Sequence, residues 1–233
     1  MSTTSTTSGP AACWACGATL GSFALLCPAC GKVQPLGSID YYQVFDLDRG
    51  FLLDTVSLER EFHRLSRKLH PDRFARASAQ EQEWSLTATA LLNDAYRTLR
   101  DPIQRTEYLL KLCGLKIGEE NSGKSKSADR QPPADLLEEV FELNMQLEEM
   151  RMNQKMGEDD PSLQADLTAA RGKFETLLAE VDSDLASKGS EWDAGNAATR
   201  ENAANAMAAQ LDRRRYLRNL VRDVNEVLST ATD

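Results

Sequence analysis

The chain has 233 residues, room for one or two domains, and a hydrophobic fraction of 41% that is ordinary for a globular protein. Its 36 acidic side chains outnumber 27 basic ones, giving a formal net charge of −9. That balance excludes whole-molecule attraction to nucleic acid or anionic lipid, because a polyanion is held by a broad basic surface, and no apolar run approaches the ~18 residues needed to cross a bilayer.

Residues 1–12 carry no charged side chain and read as a disordered N-terminus. They have neither the basic start and apolar stretch of a secretory signal nor the arginines of a transit peptide. The expected compartment is therefore the cytoplasm, with the mitochondrial matrix as the alternative. Four of the five cysteines follow at once, as Cys13-Trp14-Ala15-Cys16-Gly17 and Cys27-Pro28-Ala29-Cys30-Gly31. Each pair is a C-x-x-C knuckle closed by glycine, a turn that aims two sulfurs at one ion and brings backbone N–H groups to a thiolate. Four thiolates with no histidine or carboxylate among them imply closed tetrahedral coordination, hence a structural zinc held by Cys13, Cys16, Cys27 and Cys30. A rubredoxin-like iron site would use the same ligands. A redox dithiol or disulfides are the other readings, and the paired symmetric knuckles fit them less well. Some thirty residues bury little core, so the metal would provide much of the local folding free energy. The first charged residue is Lys32, so the knuckles lack the bases that phosphate contacts require.

In "DYYQVFDL", Tyr42, Phe45 and Leu47 are candidate core. In residues 58–69, Leu58, Phe62, Leu65 and Leu69 recur at helical spacing, with Ser57 as the expected cap. Arg60, Arg64, Arg67 and Lys68 lie off that stripe and share a solvent face, while His63 reads as a surface residue. Pro71 stops the helix, because the residue before a proline avoids the α region. A second helix is predicted over 79–100, with Ala88, Leu92, Ala95 and Leu99 facing the first. Together they form an antiparallel hairpin whose loop holds His70, Pro71, Asp72 and Arg73. A further helix is expected after Pro102, with Cys113 either in its core or at its end.

Residues 116–134 are polar and rich in Gly, Ser and Pro, and read as a linker. Three helical patterns follow. The first buries Leu136, Val140, Leu143, Leu147 and Met150. The second starts at Pro161 and buries Leu163, Leu167, Ala170, Phe174, Leu177 and Val181. The third spans 199–229 and buries Met207, Leu211, Leu217, Leu220, Val224 and Val227. They predict an antiparallel three-helix bundle over 135–233. The stretch "SKGSEWDAGN" is expected to be a long loop with Trp192 packed on the bundle. The first of these helices also carries Leu137, Phe141 and Met145 on a face turned from its buried stripe, beside Glu138, Glu142 and Glu149. An apolar strip edged with acids is either a protein-binding surface or is covered by another part of the chain.

"YYQVFDL", the basic helix, "HPDRF" and "LLNDAYRTLRDP", in that order over residues 40–113, resemble a J domain, the signature of DnaJ-type co-chaperones. The continuation "QRTEYLLKLCG" is similar to the HscB family, the J proteins of iron–sulfur cluster assembly, some of which carry two cysteine knuckles at the N-terminus. The resemblance implies a mainly α fold: a four-cysteine zinc-knuckle domain at 13–36, a J domain at 38–113 and a C-terminal three-helix domain. It implies a regulator rather than an enzyme. His70, Pro71 and Asp72, with Arg60, Arg64, Arg67, Lys68 and Arg73, would contact a DnaK/HscA-type chaperone and promote its ATP hydrolysis. Leu137, Phe141, Glu142, Met145 and Glu149, with Arg215 and Tyr216 of "RRRYLRNL", would bind an IscU-like scaffold. Glu138 stands where the family often has an apolar residue and Met145 where it often has an acid. The alternative function is a general J protein with another client, although the chain has no Gly/Phe-rich segment. The protein is expected to be a monomer or homodimer.

Overall fold

A computed structural model of the chain describes residues 12–21, 24–115 and 133–230. The expected disordered start, apart from Ala12, and nearly all of the expected linker lie outside the described residues. Two compact units are present, Met1–Leu109 and Leu110–Asp233.

The first unit begins with the two knuckles. Each is pinned by an antiparallel bridge, Ala12 with Thr19 and Leu26 with Val33. Gly17 and Gly31 adopt φ of 73° and 72°, so that each N–H reaches back to the carbonyl of the first cysteine of its knuckle at 2.9 Å. A side chain at either position would be strained in that left-handed conformation. Cys13, Leu20 and Cys27 make a core of their own, which is all that so short a segment can bury.

Helix α1 (Tyr41–Val44) opens with a capping box in which Asp40 accepts from Gln43 N–H. Arg49 grips the same Asp40 carboxylate through Nε and Nη2. Tyr41 stacks on Tyr108, with centroids 4.3 Å apart. Helix α2 (Thr55–Leu69) is capped by Asp54, whose carboxylate accepts from the Val56 and Ser57 N–H groups. The expected cap, Ser57, is already inside the helix and donates its hydroxyl to Asp54. Aspartate wins because its two oxygens serve both the orphan amides and that hydroxyl. A 3-10 turn (Pro71–Phe74) joins α2 to α3 (Ala79–Arg100), and α4 (Pro102–Leu112) follows. The stripes meet as expected: Leu58, Leu65 and Leu69 of α2 and Ala88, Leu92, Ala95 and Leu99 of α3 are buried. Phe62 stacks on Tyr96 at 4.1 Å. Cys113 lies at the end of α4 and is exposed, not in the core.

The second unit is an α6 (Pro161–Ala194) and α7 (Ala197–Ser229) hairpin against which α5 (Leu137–Met156) lies. Proline stands at the first position of α6 as read from the sequence. The stretch expected to be a loop is instead the last part of α6. Its buried face continues through Leu185, Gly189 and Trp192, and burial of one large indole at helical spacing outweighs the weak helix propensity of Gly and Ser. The turn follows at Gly195, where a Cβ would stand 2.8 Å from the Glu191 carbonyl, too close for any other residue. Asn196 then caps α7 through Thr199 N–H, and Arg200 lies over the Trp192 ring at 4.5 Å.

Candidate functional sites

The knuckles bring all four predicted sulfurs together. Cys13 and Cys30 Sγ are 3.7 Å apart, as are Cys16 and Cys27 Sγ, and all four lie within 4.8 Å of one another. A disulfide needs about 2.05 Å. Four sulfurs at ~2.3 Å around one tetrahedral zinc stand about 3.8 Å apart. The spacing therefore fits a shared ion and not a bonded pair. Ala15 N–H and Gln34 Nε2 donate to Cys13 Sγ at 3.4 Å. Burial works against ionising Cys13, but the amides of Ala15 and Cys16 and the neighbouring thiols outweigh it and lower its pKa to about 6. Cys30 is pushed up to about 12: the Lys32 amide favours its thiolate, and burial with the other three cysteines overrides that. Four thiols this close oppose one another's ionisation, and a cation among them removes the opposition.

The metal segment is braced on α3. Trp14 packs edge-to-face on Trp84 at 5.7 Å, and its Nε1 donates to the Val33 carbonyl at 2.8 Å. Lys32 Nζ reaches Glu81 Oε1 at 2.7 Å, on a carboxylate only 7% exposed. Glu81 is also the third residue of α3, closing a capping box with Ser78. The hydrogen bond from Lys32 holds the Glu81 carboxyl below its ordinary value, against the cost of burial. Nothing in the sequence links Lys32 to Glu81; only the folded chain pairs them across 49 positions.

The histidine loop is built from both hairpin helices. Leu69 ends α2, and its carbonyl accepts from Ser85 Oγ at 2.6 Å and Thr89 Oγ1 at 3.2 Å, both on α3. His70 then turns extended, with ψ 129°, as its proline neighbour requires. Its Nδ1 accepts from Asp72 N–H at 3.3 Å, and its carbonyl accepts from Arg73 N–H at 3.0 Å. Phe74 is buried and anchors the far side of the turn. His70 and Asp72 consequently stand outward, with Nδ1 3.5 Å from a carboxylate oxygen. Arg60, Arg64, Arg67, Lys68 and Arg73 are all exposed, and Pro71 is half-buried. Arg64 is engaged by Glu61 one turn earlier; Arg60 donates to Ser57 Oγ at 2.8 Å. His63 is exposed, with its side chain 60% open to solvent, as read from the sequence.

On α5 the apolar residues divide between two faces. Val140, Leu143, Leu147 and Met150 are buried, while Leu137, Phe141 and Met145 are 58%, 67% and 60% exposed. Glu142 and Glu149 stand exposed beside them. The helix start is tied down next to this strip, where Arg213 holds Asp135 through both Nη atoms at 2.8 and 2.7 Å. Arg215 and Tyr216 differ from the surface role expected of them: they are 6% and 4% exposed. The reason is the position of α7, which is buried at residues 215, 216, 217, 219 and 220. Arg215 directs its charge to Asp212 at 3.0 Å.

Residues 40–108 match the DnaJ domain family. The human iron–sulfur cluster co-chaperone protein HscB is 36% identical over 157 residues, covering 66% of this chain and 64% of that protein. The chain thus spans just under two thirds of that relative's length. The HscB homolog of Shewanella loihica is 31% identical over 154 residues, covering 64% of this chain and 89% of that one. The crystal structure of human HscB superposes with a TM-score of 0.64 at 26% identity, covering 93% of this chain and 98% of that one.

Two outcomes follow from the metal segment. Chain purified under reducing conditions is expected to carry one equivalent of metal by plasma mass spectrometry. Cys16→Ser with Cys30→Ser should abolish the loading, and acid should speed loss to a chelator, since protons compete for thiolates. Loading indifferent to those cysteines would remove the site. The brace has its own pH signature. A carboxyl lowered on folding adds stability above its ordinary value of 4.5, and that stability is lost as pH falls through the lower folded value. Glu81→Gln keeps a capping-box side chain but not the charge. It should melt below the parent at neutral pH, and the gap should close in acid; a gap constant with pH would mean that the ion pair contributes nothing.

Proposed function

The chain belongs to the HscB family of J-domain co-chaperones, and from that premise we propose that it couples a DnaK/HscA-type chaperone to an IscU-like iron–sulfur scaffold. The loop of His70, Pro71 and Asp72 docks on the chaperone and promotes hydrolysis of its ATP. The chain itself performs no bond chemistry. The exposed bases of α2, with Arg73, steer the encounter with an acidic partner and set register. The stiffened loop then offers a histidine and a carboxylate in one orientation. The observation that carries this reading is the exposure of His70 and Asp72 on a turn whose flanks, Leu69 and Phe74, are both fixed inside the hairpin.

The outer strip of α5 holds the scaffold, with Leu137, Phe141 and Met145 as apolar anchors and Glu142 and Glu149 as the acidic rim. Arg215 and Tyr216, being buried, support α7 and do not offer a contact surface. Hydrolysis traps the chaperone on the delivered scaffold and assists release of its cluster to recipients. The four-thiolate centre is a structural zinc that holds the knuckles shut; the residues fit a closed tetrahedral ion. Among the described residues no helix is long and apolar enough to cross a membrane.

Steady-state ATPase of a DnaK/HscA-type chaperone, with this chain and with or without an IscU-like scaffold, tests the reading. Both together should stimulate far more than either alone. Stimulation that ignores the scaffold would assign the chain a different client. His70→Gln should abolish stimulation while circular dichroism and scaffold binding stay as in the parent; a variant that unfolds instead would make the loop structural. Separately, Leu137→Ala with Phe141→Ala should weaken scaffold binding by about 2–4 kcal/mol in calorimetry, as clustered anchors do. Unchanged affinity would move the site off α5.

A further inference from the structure

The apolar strip of α5 does not end at Met145. Met152 and Met156 are 57% and 60% exposed, as open as the first three side chains. At 3.6 residues per turn, all five project within about 100° of one another, on the side opposite Val140, Leu143, Leu147 and Met150. Glu148 lies between the two halves, but its carboxylate is drawn to Arg151 Nη1 at 2.7 Å. A 20-residue helix thus shows an apolar edge along its full ~30 Å.

Area makes the first three residues too few. A large apolar side chain presents ~150–200 Å², so three of them at about 60% exposure offer roughly 300 Å². A standard interface takes ~800 Å² from each partner. Adding Met152 and Met156 brings the apolar part to roughly 500 Å² on the same area per side chain, and an acidic rim can supply much of the rest.

We propose that the scaffold-binding surface runs the whole length of α5, with Met152 and Met156 as contacts, and that the partner brings an apolar ridge bordered by basic side chains. The inference rests on the scaffold reading above. Charge argues for such a partner over a second copy of the chain. Glu138, Glu142 and Glu149 have no ion-pair partner among the described residues, whereas Lys155 is the one base of α5 in that condition. Two such faces brought together would set like charges against each other. Residues 116–132 contain one large apolar side chain, Ile117, too little to cover five. Methionine suits the distal half of the surface, since its unbranched side chain repacks against an uneven partner.

Calorimetric titration of the full chain with an IscU-like scaffold tests the proposal. Met152→Gln with Met156→Gln keeps length and helix propensity and removes the apolar ends. It should weaken binding about tenfold or more, while Asp166→Asn, exposed on α6, should leave affinity within about twofold. A second measurement needs no variant: saturating scaffold should slow peroxide oxidation of Met145, Met152 and Met156 together, read by mass spectrometry. If Leu137→Ala with Phe141→Ala weakens binding and the methionine pair does not, the extension is wrong and the shorter site stands. If neither pair matters, the scaffold site and its extension fall together. If the methionine pair converts a dimer to a monomer in sedimentation without changing scaffold affinity, the occupant is a second copy and the proposal is overturned.

Discussion

The carbonyl of Leu69 is the last acceptor of α2, at the place where helix geometry leaves it without an internal donor. Two hydroxyls of α3 take it, Ser85 and Thr89, 16 and 20 residues further along the chain. A buried carbonyl left unpaired would cost about 1–3 kcal/mol, so the pairing is both required by burial and decisive for geometry. It fixes where α2 stops and which way the backbone leaves. Proline then forces His70 into an extended conformation, and Phe74 returns the chain to the core. The outward loop is a consequence of these inward contacts; nothing exposed on it needs to be held by its own weak hydrogen bonds.

The metal segment is held together differently. Its core is Cys13, Leu20 and Cys27 with two alanines against it, too small to hold the knuckles by apolar burial. Four thiols confined within 4.8 Å resist simultaneous ionisation, and a cation held among them would relieve what the fold imposes. The same segment reaches Glu81 through Lys32 and Trp84 through Trp14. Glu81 belongs to the first turn of α3, the helix whose hydroxyls hold the end of α2. The knuckles and the histidine loop are therefore fastened to one helix, at different points along it.

In the second unit the constraint is the shortage of partners for α5. The packing of the long α6–α7 hairpin buries one face of α7, including Arg215 and Tyr216. Helix α5 rests on that hairpin by one face and is tied at its ends, through Asp135 to Arg213 and through Gln154 to the Val227 carbonyl. Its other face has apolar side chains and nothing among the described residues of the bundle to bury them. A surface of this kind costs solubility unless it is used.

Much of this was legible in the chain itself. Helical spacing located the buried stripes, because periodicity depends only on which residues share a face. The order of the basic helix, the His-Pro-Asp loop and the following helix identified the J domain, and two C-x-x-C-G knuckles foretold one four-sulfur site, since ligand spacing and glycine turns are local properties. One exception was local, the cap of α2, which fell to Asp54 and not Ser57; the others were long-range. Ser85, Thr89 and the Lys32–Glu81 pair carry no local signal, and only packing gives them partners. The run ending in Trp192 looked like a loop from its glycine and serine, and burial of the indole made it helix. Arg215 and Tyr216 were expected at the surface from the family resemblance of "RRRYLRNL", and the packing of α7 put them inside. Local pattern determines which residues can share an element; only the tertiary structure decides which faces remain open, because exposure depends on what the rest of the chain fails to cover.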